Sequence, residues 1–190
     1  MIMARSAKNS ELFLGLISTV GADVEDVIED IQDQLVFYNY KTDVISVSRN
    51  VISQFEDENA VHWSSEFDRI SHYMDLGNQI RKDTEDNSIL MKGVARQLYL
   101  GRSFDADGFP EPMARTAHII KSLKHPDEVD FMRETYGDGF HLIGVTSSYS
   151  RRLKNLMERK GLTREKAQEL LDRDANEDLK QGQHTRDAFQ

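Results

Sequence analysis

The chain is organised around an apolar run, a glycine-containing turn and a helical repeat near its beginning. Residues 12–17 are apolar apart from one glycine, which is typical of a strand buried on both faces. Residues 18–23 are mostly small or polar, and the apolar positions 24, 27, 28, 31 and 35 that follow have a helical spacing. The pattern predicts a strand, a tight turn and a helix. Such a unit brings the N–H groups of a helix start to the end of a strand, where they favour an anion.

The predicted turn resembles a phosphate-binding loop only in part. A Walker A loop, G-x-x-x-x-G-K-[ST], needs its lysine on the terminal phosphates and its hydroxyl on magnesium. Counted from Ser18, the lysine position is Val24, the hydroxyl position is Glu25, and Asp23 replaces the second glycine. The loop is therefore either a decayed phosphate loop or an ordinary strand-to-helix turn, and the loop alone favours the second. Gly21 is predicted to take the tightest backbone, because it lacks Cβ.

The rest of the pattern predicts strands that alternate with helices. Strands are predicted over 43–49, 116–123 and 140–145, and helices over 66–83, 87–101, 126–136, from a cap at Ser150 and from a cap at Thr163. Residues 50–64 are predicted as a loop or a short helix, and residues 102–112 as a loop. Alternating elements favour an α/β fold with a mostly parallel sheet. We expect one domain over 1–173 and a polar tail over 174–190, either a charged helix or disordered.

Composition narrows the classes of function. The 190 residues carry a net charge of −9, which argues against broad DNA binding but leaves room for a small anion pocket lined by arginines. There is no cysteine, so disulfides, thiolate zinc sites and cysteine nucleophiles are excluded. No apolar run reaches transmembrane length and no signal peptide is seen. We therefore expect a cytoplasmic protein without membrane association.

The stretch 140–174 carries a first family resemblance. A strand ends in small polar residues, an arginine-rich helix follows, and residues 159–167 match R-x-G-[LM]-[ST]-x-E-x-A. This stretch resembles nucleoside monophosphate kinases, especially dephospho-coenzyme-A kinases. The resemblance implies that Arg151, Arg152 and Arg159 are lid arginines that clamp phosphates. For each arginine the alternative is a solvated helix face.

A second resemblance covers nearly the whole chain and rests on motifs in a fixed order. They are G-L-[VI]-x-x-V-G at 15–21, G-N-x-[IL]-R at 77–81, S-L-K-H-P-x-E-V-x-x-[LM]-R-x-x-Y-G at 122–137, R-D-x-N-E at 173–177 and G-Q at 182–183. Together they resemble the amino-terminal kinase-like domain of bacterial anti-phage deoxycytidylate (dCMP/dCTP) deaminases. The resemblance implies a phosphate-loop kinase-like fold with a degenerate loop, binding a dNTP, a dNMP or ATP.

The resemblance also identifies what this sequence lacks. Such deaminases hold zinc through one histidine and two cysteines, in H-x-E and P-C-x-x-C motifs. The sequence has no cysteine and no H-x-E, and its six histidines have no metal-ligand spacing. We therefore expect no catalytic residue, metal or cofactor here, and zinc only in a deaminase domain absent from this sequence. The chain is expected to be a fragment, or a protein that lacks its catalytic half.

Candidate ligand contacts lie where the predicted strands end, because ligands of parallel sheets bind beyond the carboxyl ends of the strands. That edge comprises residues 18–23, 48–49, 122–125 and 146–148. The candidates for nucleotide or phosphate contact are Ser18, Thr19, Val20, Gly21, Ala22, Asp23, Lys124, Arg151, Arg152 and Arg159.

Six side chains, of which Asp23 is also a candidate contact, have two interpretations each. His125 either contacts phosphate or caps its helix, and Arg81 either points into the cleft or pairs with an acid such as Asp83. Trp63 either stacks on a base or packs in the protein. Asp23, Glu25 and Asp26 hold magnesium or, as the pattern favours, form a solvated helix start stabilised by the dipole.

Three functions remain open from the sequence. The first is a nucleotide-binding or regulatory module of a deoxycytidine-nucleotide deaminase. The second is an active nucleotide or dephospho-coenzyme-A kinase, in which a lysine such as Lys124 replaces the missing loop lysine. The third is a structural or interaction domain without a small ligand, for example in a homo-oligomer.

Overall fold

The computed structural model describes residues 10–56 and 63–180, with the backbone alone for residues 177–180. Its centre is a four-stranded parallel sheet in the order β2-β3-β1-β4. The strands are β1 Leu12–Ser18, β2 Lys41–Ser46, β3 Thr116–Leu123 and β4 Phe140–Val145. The helices are α1 Val24–Phe37, α2 Glu66–Thr84, α3 Ile89–Leu100, α4 Pro126–Tyr136, α5 Tyr149–Glu158 and α6 Arg164–Lys180. The predicted α/β class, a parallel sheet flanked by helices, is confirmed.

Strand β1 is buried on both faces, as its continuous apolar run predicts. Phe13 and Ile17 pack into the core formed with α2, α3 and α4, while Leu14 and Leu16 pack against α1 on the opposite face. Burying a large apolar side chain contributes about 1.5–3 kcal/mol relative to leaving it exposed. This two-sided burial holds β1 in the interior of the sheet, between β3 and β4.

A third, smaller core joins the carboxyl-terminal helices to the β1–α1 loop. It contains Leu156 of α5 and Leu170 of α6, both almost fully buried, and Val20 of the loop packs against it together with Phe67 and Met74 of α2. Helices α5 and α6 are therefore anchored beside the loop by apolar contacts.

Strand β2 is shorter than predicted. The sequence predicts a strand over 43–49, but β2 ends at Ser46, and Val47–Val51 forms a π-helical turn followed by a 3₁₀ turn over Ile52–Phe55. The N–H of Ser46 donates to Oδ1 of Asn50 at 2.8 Å, and this bond takes the place of continued strand pairing. The alternating pattern misled the prediction, because Val47, Val51 and Ile52 are buried by the turn rather than by the sheet.

The start of α5 differs from the prediction, and the end of α6 extends beyond the predicted domain boundary. Helix α5 is capped by Ser148 and not by Ser150, since Oγ of Ser148 accepts from the N–H of Arg151 at 3.3 Å. Helix α6 extends through residues 174–180, for which a charged helix was one of the two alternatives. The G-Q pair at 182–183 and the first nine residues lie outside the described residues. Within the described ranges, no helix is long and apolar enough to cross a membrane.

Candidate functional site

The β1–α1 loop, residues 18–23, joins the central strand to the first helix. Gly21 has a φ of +80°, and a Cβ built on it would lie 2.8 Å from the carbonyl oxygen of Arg152. The prediction that Gly21 takes the tightest backbone in the turn is confirmed, because both the φ and the close approach exclude a side chain. Strand, loop and helix follow one another as in a phosphate-loop unit, without its lysine and hydroxyl.

A cavity of about 430 Å³ lies beside this loop. Its lining includes Ser18, Ser46 and Ser122, which lie at or near the carboxyl ends of β1, β2 and β3. Ligands of parallel sheets bind at this edge. An apolar wall comes from α2, α3 and the 3₁₀ turn, with the side chains of Ile52, Ile70, Tyr73, Met74 and Leu90.

Only some of the predicted contact residues line this cavity. Those that line the cavity are Ser18, Thr19, Val20, Gly21, Ala22, Lys124 and Arg159, whereas Asp23, Arg151 and Arg152 do not line it. Their roles as ligand contacts stay predictions.

Asp23 and Asp26, at the start of α1, are paired with arginines of the α5 region. Arg151 Nε donates to Asp23 Oδ1 at 3.0 Å, and Arg159 Nη2 donates to Asp26 Oδ2 at 2.8 Å. Hydrogen bonds from Asn155 and Ser147, followed by the bond and charge of Arg151, lower the pKa of Asp23. The hydrogen bond from Arg159 lowers the pKa of Asp26. Arg151 and Arg159 are therefore exposed side chains that pair with the start of α1, and their role as phosphate clamps stays a prediction.

The third acid, Glu25, pairs with β3 instead. Lys121 Nζ donates to Glu25 Oε1 at 3.0 Å. Burial alone would raise the pKa of Glu25, but the bond and charge of Lys121 outweigh it and lower that pKa. Within the described part of the chain, no group of three His, Cys, Asp or Glu side chains is placed to hold a metal ion.

Arg152 and Lys124 hold a carboxylate that the sequence analysis missed. Asp174 of α6 accepts from the N–H of Val20 at 2.9 Å and from Arg152 Nη2 at 2.8 Å, and its other oxygen lies 3.5 Å from Lys124 Nζ. The same two cations also donate to loop carbonyls, Arg152 to Val20 at 2.6 Å and Lys124 to Ser18 at 2.8 Å. The only signal for Asp174 in the sequence is the R-D-x-N-E motif at 173–177, most of which lies in the predicted polar tail.

Arg81 is the second charged group whose partner was missed. The sequence offered an acid such as Asp83, but Arg81 Nη2 donates to Oε1 of Glu128 at 2.7 Å, and that carboxylate is fully buried. Glu128 also accepts from the N–H groups of Lys124 and His125, at 2.6 and 3.1 Å. The guanidinium lines the cavity, and its Nε is buried without a hydrogen-bond partner. Arg81 is therefore fixed in place by a buried carboxylate.

His125 and Trp63 take structural positions. Nδ1 of His125 accepts from the N–H of Asp127 at 3.1 Å and completes a capping box with Glu128, so His125 caps α4. The ring of Trp63 lies 4.4 Å from the ring of His72, and Trp63 does not line the cavity. Of the two interpretations given for each residue, His125 therefore takes the helix cap and Trp63 takes the packing position.

Two exposed basic side chains of the cavity, Arg49 and Lys160, were not among the predicted contacts. Arg49 lies in the π-helical turn after β2, at an edge position that the sequence analysis did identify, and Lys160 follows α5. Across residues 10–56 and 63–180, neither side chain forms an ion pair. They are available for a ligand anion.

Comparison with known proteins gives little beyond this geometry. No family model matches the chain, and no curated protein matches it. Among solved structures, it is similar to the deoxyadenosine kinase from M. mycoides with bound dATP, at 14% identity over 90% of this chain and 84% of that one, with a TM-score of 0.38. The chain's own residues therefore carry the functional conclusion.

Proposed function

We propose that this chain is a nucleotide-binding module whose ligand occupies the cavity beside the β1–α1 loop. The observation that carries the proposal is that the chain is acidic as a whole whereas the lining of the cavity is basic. The chain as a whole has 24 basic and 33 acidic residues, yet the cavity is lined by seven basic and two acidic side chains. Its volume, about 430 Å³, lies in the range of small-molecule sites.

The walls of the cavity suggest how the nucleotide lies. Tyr73, Ile70 and Met74 offer an aromatic and apolar surface that suits a base. Arg49 and Lys160 are exposed cations that form no ion pair within the described residues, which suits phosphate groups. Arg81, which is fixed by Glu128, adds a positively charged side chain to the lining.

The module is proposed to bind nucleotide without transferring phosphate. Phosphoryl transfer depends on positioning the phosphates and neutralising their charge, through the loop lysine and magnesium. Val24 occupies the lysine position and is almost buried, and Glu25 at the hydroxyl position is paired with Lys121. The β1–α1 loop thus lacks the groups for the chemistry.

The particular role that we propose is regulation of a deoxycytidine-nucleotide deaminase. The support is the convergence of the deaminase-like motifs, since residues from 15–21, 77–81, 122–137 and 173–177 all line the cavity although they are far apart in sequence. Deamination by a zinc-activated water would then take place in a separate deaminase domain. Turnover of dCMP or dCTP by this chain with added zinc would contradict this division.

Calorimetric titration with dCMP, dCTP, dATP and ATP, with and without magnesium, tests the binding proposal. We expect binding by the natural chain and an affinity at least tenfold lower when Arg49→Gln and Lys160→Gln are combined. Arg96→Gln is the matched control, because Arg96 is exposed on α3 and away from the cavity. No binding of any nucleotide, or equal affinity in the double variant, would overturn the proposal.

A kinase is the second candidate, and the position of Lys124 favours it. Its Nζ lies 2.8 Å from the Ser18 carbonyl oxygen and reaches the loop from the end of β3, where it could replace the missing lysine. ADP formation from ATP, magnesium and a panel of nucleoside monophosphates, abolished by Lys124→Ala, would support phosphoryl transfer and replace the binding-only proposal.

A further inference from the structure

The carboxylate of Asp174 is an anion supplied by the chain itself to the β1–α1 loop. It lies 2.9 Å from the Val20 nitrogen and 2.8 Å from Arg152 Nη2, and the side chain is only 7% exposed. Backbone N–H groups that follow a strand in this way commonly bind phosphate. A protein carboxylate therefore occupies the place where a phosphoryl oxygen would bind.

The charges around Asp174 do not balance. Two cations, Arg152 and Lys124, share a single carboxylate that carries one negative charge. A phosphoryl group with nearly two negative charges and three acceptor oxygens would neutralise both cations and keep the bond to Val20. The site is thus better matched to a phosphoryl group than to its present occupant.

The position of Asp174 in α6 makes its displacement feasible. Upstream, Ala167, Leu170 and Leu171 anchor the helix in the third core. Asp174 is the last buried side chain of α6 among the described residues, since Ala175 and Asn176 are exposed. Release of the carboxylate would free the end of the helix and leave the core contacts intact.

We propose that Asp174 is a built-in competitor for a phosphoryl group, and that a ligand phosphate displaces it from Val20, Arg152 and Lys124. Binding of the phosphate then loosens α6 from Asp174 onward. This inference rests on the proposed nucleotide binding, to which it adds a phosphate subsite and a link between the ligand and the carboxyl-terminal helix.

Titration with pyrophosphate and with dCTP, using Asp174→Asn, tests the competition. The asparagine keeps an acceptor for Val20 but removes the charge, so we expect pyrophosphate to bind at least tenfold more tightly than to the natural chain. Asp172→Asn is the matched control, because it changes the net charge equally from an exposed position on the same helix. We expect no more than a twofold change in the control, and circular dichroism verifies that both variants are folded.

Hydrogen exchange is the second measurement. In the natural chain, amide exchange over residues 175–180 should rise on addition of saturating pyrophosphate, while exchange in α5 stays unchanged. In Asp174→Asn without pyrophosphate, exchange over residues 175–180 should already exceed that of the natural chain, because the asparagine loses the charge pairing with Arg152 and Lys124.

The outcomes separate this inference from the proposed function. If nucleotides bind and depend on Arg49 and Lys160, but Asp174→Asn binds pyrophosphate no more tightly than the control, the competition is wrong and nucleotide binding stands. If Asp174→Asn binds pyrophosphate tightly while no nucleotide binds either protein, the subsite is right and the proposed function is wrong.

Discussion

Two buried carboxylates lie at opposite ends of the same sheet, and they differ in what surrounds them. Glu11, beside the start of β1, contacts Arg102 Nη2 at 2.8 Å and His118 Nε2 at 3.0 Å. Asp174, at the other end, contacts Arg152 and Lys124. Both side chains are 7% exposed. The two carboxylates are therefore equally buried and each contacts two basic side chains, so neither feature decides which cluster is a site.

The neighbours of the two carboxylates make the difference. Glu11 is held by His118, which also contacts Asp43, and the rings of His118 and Tyr136 stack on Phe13. Burial of the Tyr136 hydroxyl raises its pKa to about 12. Asp174 instead borders the 430 Å³ cavity and holds a loop N–H. On this basis we propose that a buried ion pair marks a binding site when a ligand can replace one partner and leave the core intact.

The largest expected effect is on the cluster at the start of β1. Glu11→Gln removes the charge that pairs Arg102 and His118, and breaking a buried pair in this way typically costs about 3 kcal/mol. We expect the free energy of unfolding in urea to fall by about that amount, with nucleotide affinity unchanged. Glu29→Gln, at an exposed position of α1, should change neither quantity. A loss of nucleotide binding in folded Glu11→Gln would contradict the division between the two clusters.

The next effect concerns the loop itself. Gly21→Ala must hold a φ of +80° and place Cβ 2.8 Å from the Arg152 carbonyl oxygen, so we expect a loss of about 2 kcal/mol in unfolding free energy. Nucleotide affinity should fall too, because the loop shifts against Arg152. Gly108→Ala has the same kind of φ, +82°, with no atom within 4 Å of the new Cβ. Equal losses in the two variants would show that the contact with Arg152 is unimportant.

A smaller effect is expected from restoring the loop lysine. Val24 is 8% exposed and packs with Leu16 and Ile119, but it also lines the cavity. In Val24→Lys the stem can keep the packing while the amine reaches the cavity, so stability should fall by about 1 kcal/mol. ATP affinity should rise roughly fivefold, which corresponds to about 1 kcal/mol. Val24→Met controls for side-chain volume, and tight ATP binding that is the same in all three proteins would place the phosphates elsewhere.

The smallest effect is on the acid dependence of stability. The pKa values of Asp23 and Asp26 lie below the ordinary 3.8, because Asn155, Ser147 and Arg159 donate to the charged carboxylates. The unfolded chain takes up these protons first as pH falls, so the stabilisation is complete above pH 3.8 and is lost as pH falls through the lowered values.

Thermal unfolding between pH 7 and pH 2.5 measures this dependence. In the double variant Asp23→Asn and Asp26→Asn, the melting temperature should fall less between pH 7 and pH 2.5 than it does in the natural chain. Asp30→Asn combined with Asp33→Asn, at exposed positions on the same helix, should leave the profile unchanged. An unaltered profile in the first pair would show that these ion pairs contribute nothing to stability.

The sequence determined the local elements and the fold class. An uninterrupted apolar run predicted that β1 is buried on both faces, and Phe13 and Leu14 do pack on opposite sides of the sheet. The position of Gly21 in the turn was also predictable, because only a residue without Cβ suits that backbone. The prediction failed at β2, where Val47 alternates like a strand residue but is buried by a turn. These features depend on residue spacing, which is read directly along the chain.

Only the tertiary structure decided which charges meet. Val20 and Asp174 are 154 residues apart, and Arg81 and Glu128 are 47 residues apart. With 24 basic and 33 acidic residues in the chain, spacing does not select one partner from the others. The choice is made by the packing of α4, α5 and α6 around the end of the sheet, because ion pairs and hydrogen bonds form only between groups that the fold brings within about 3 Å. The sequence therefore marked the edge where we propose that a ligand binds, while the folded chain alone placed Asp174 on the loop.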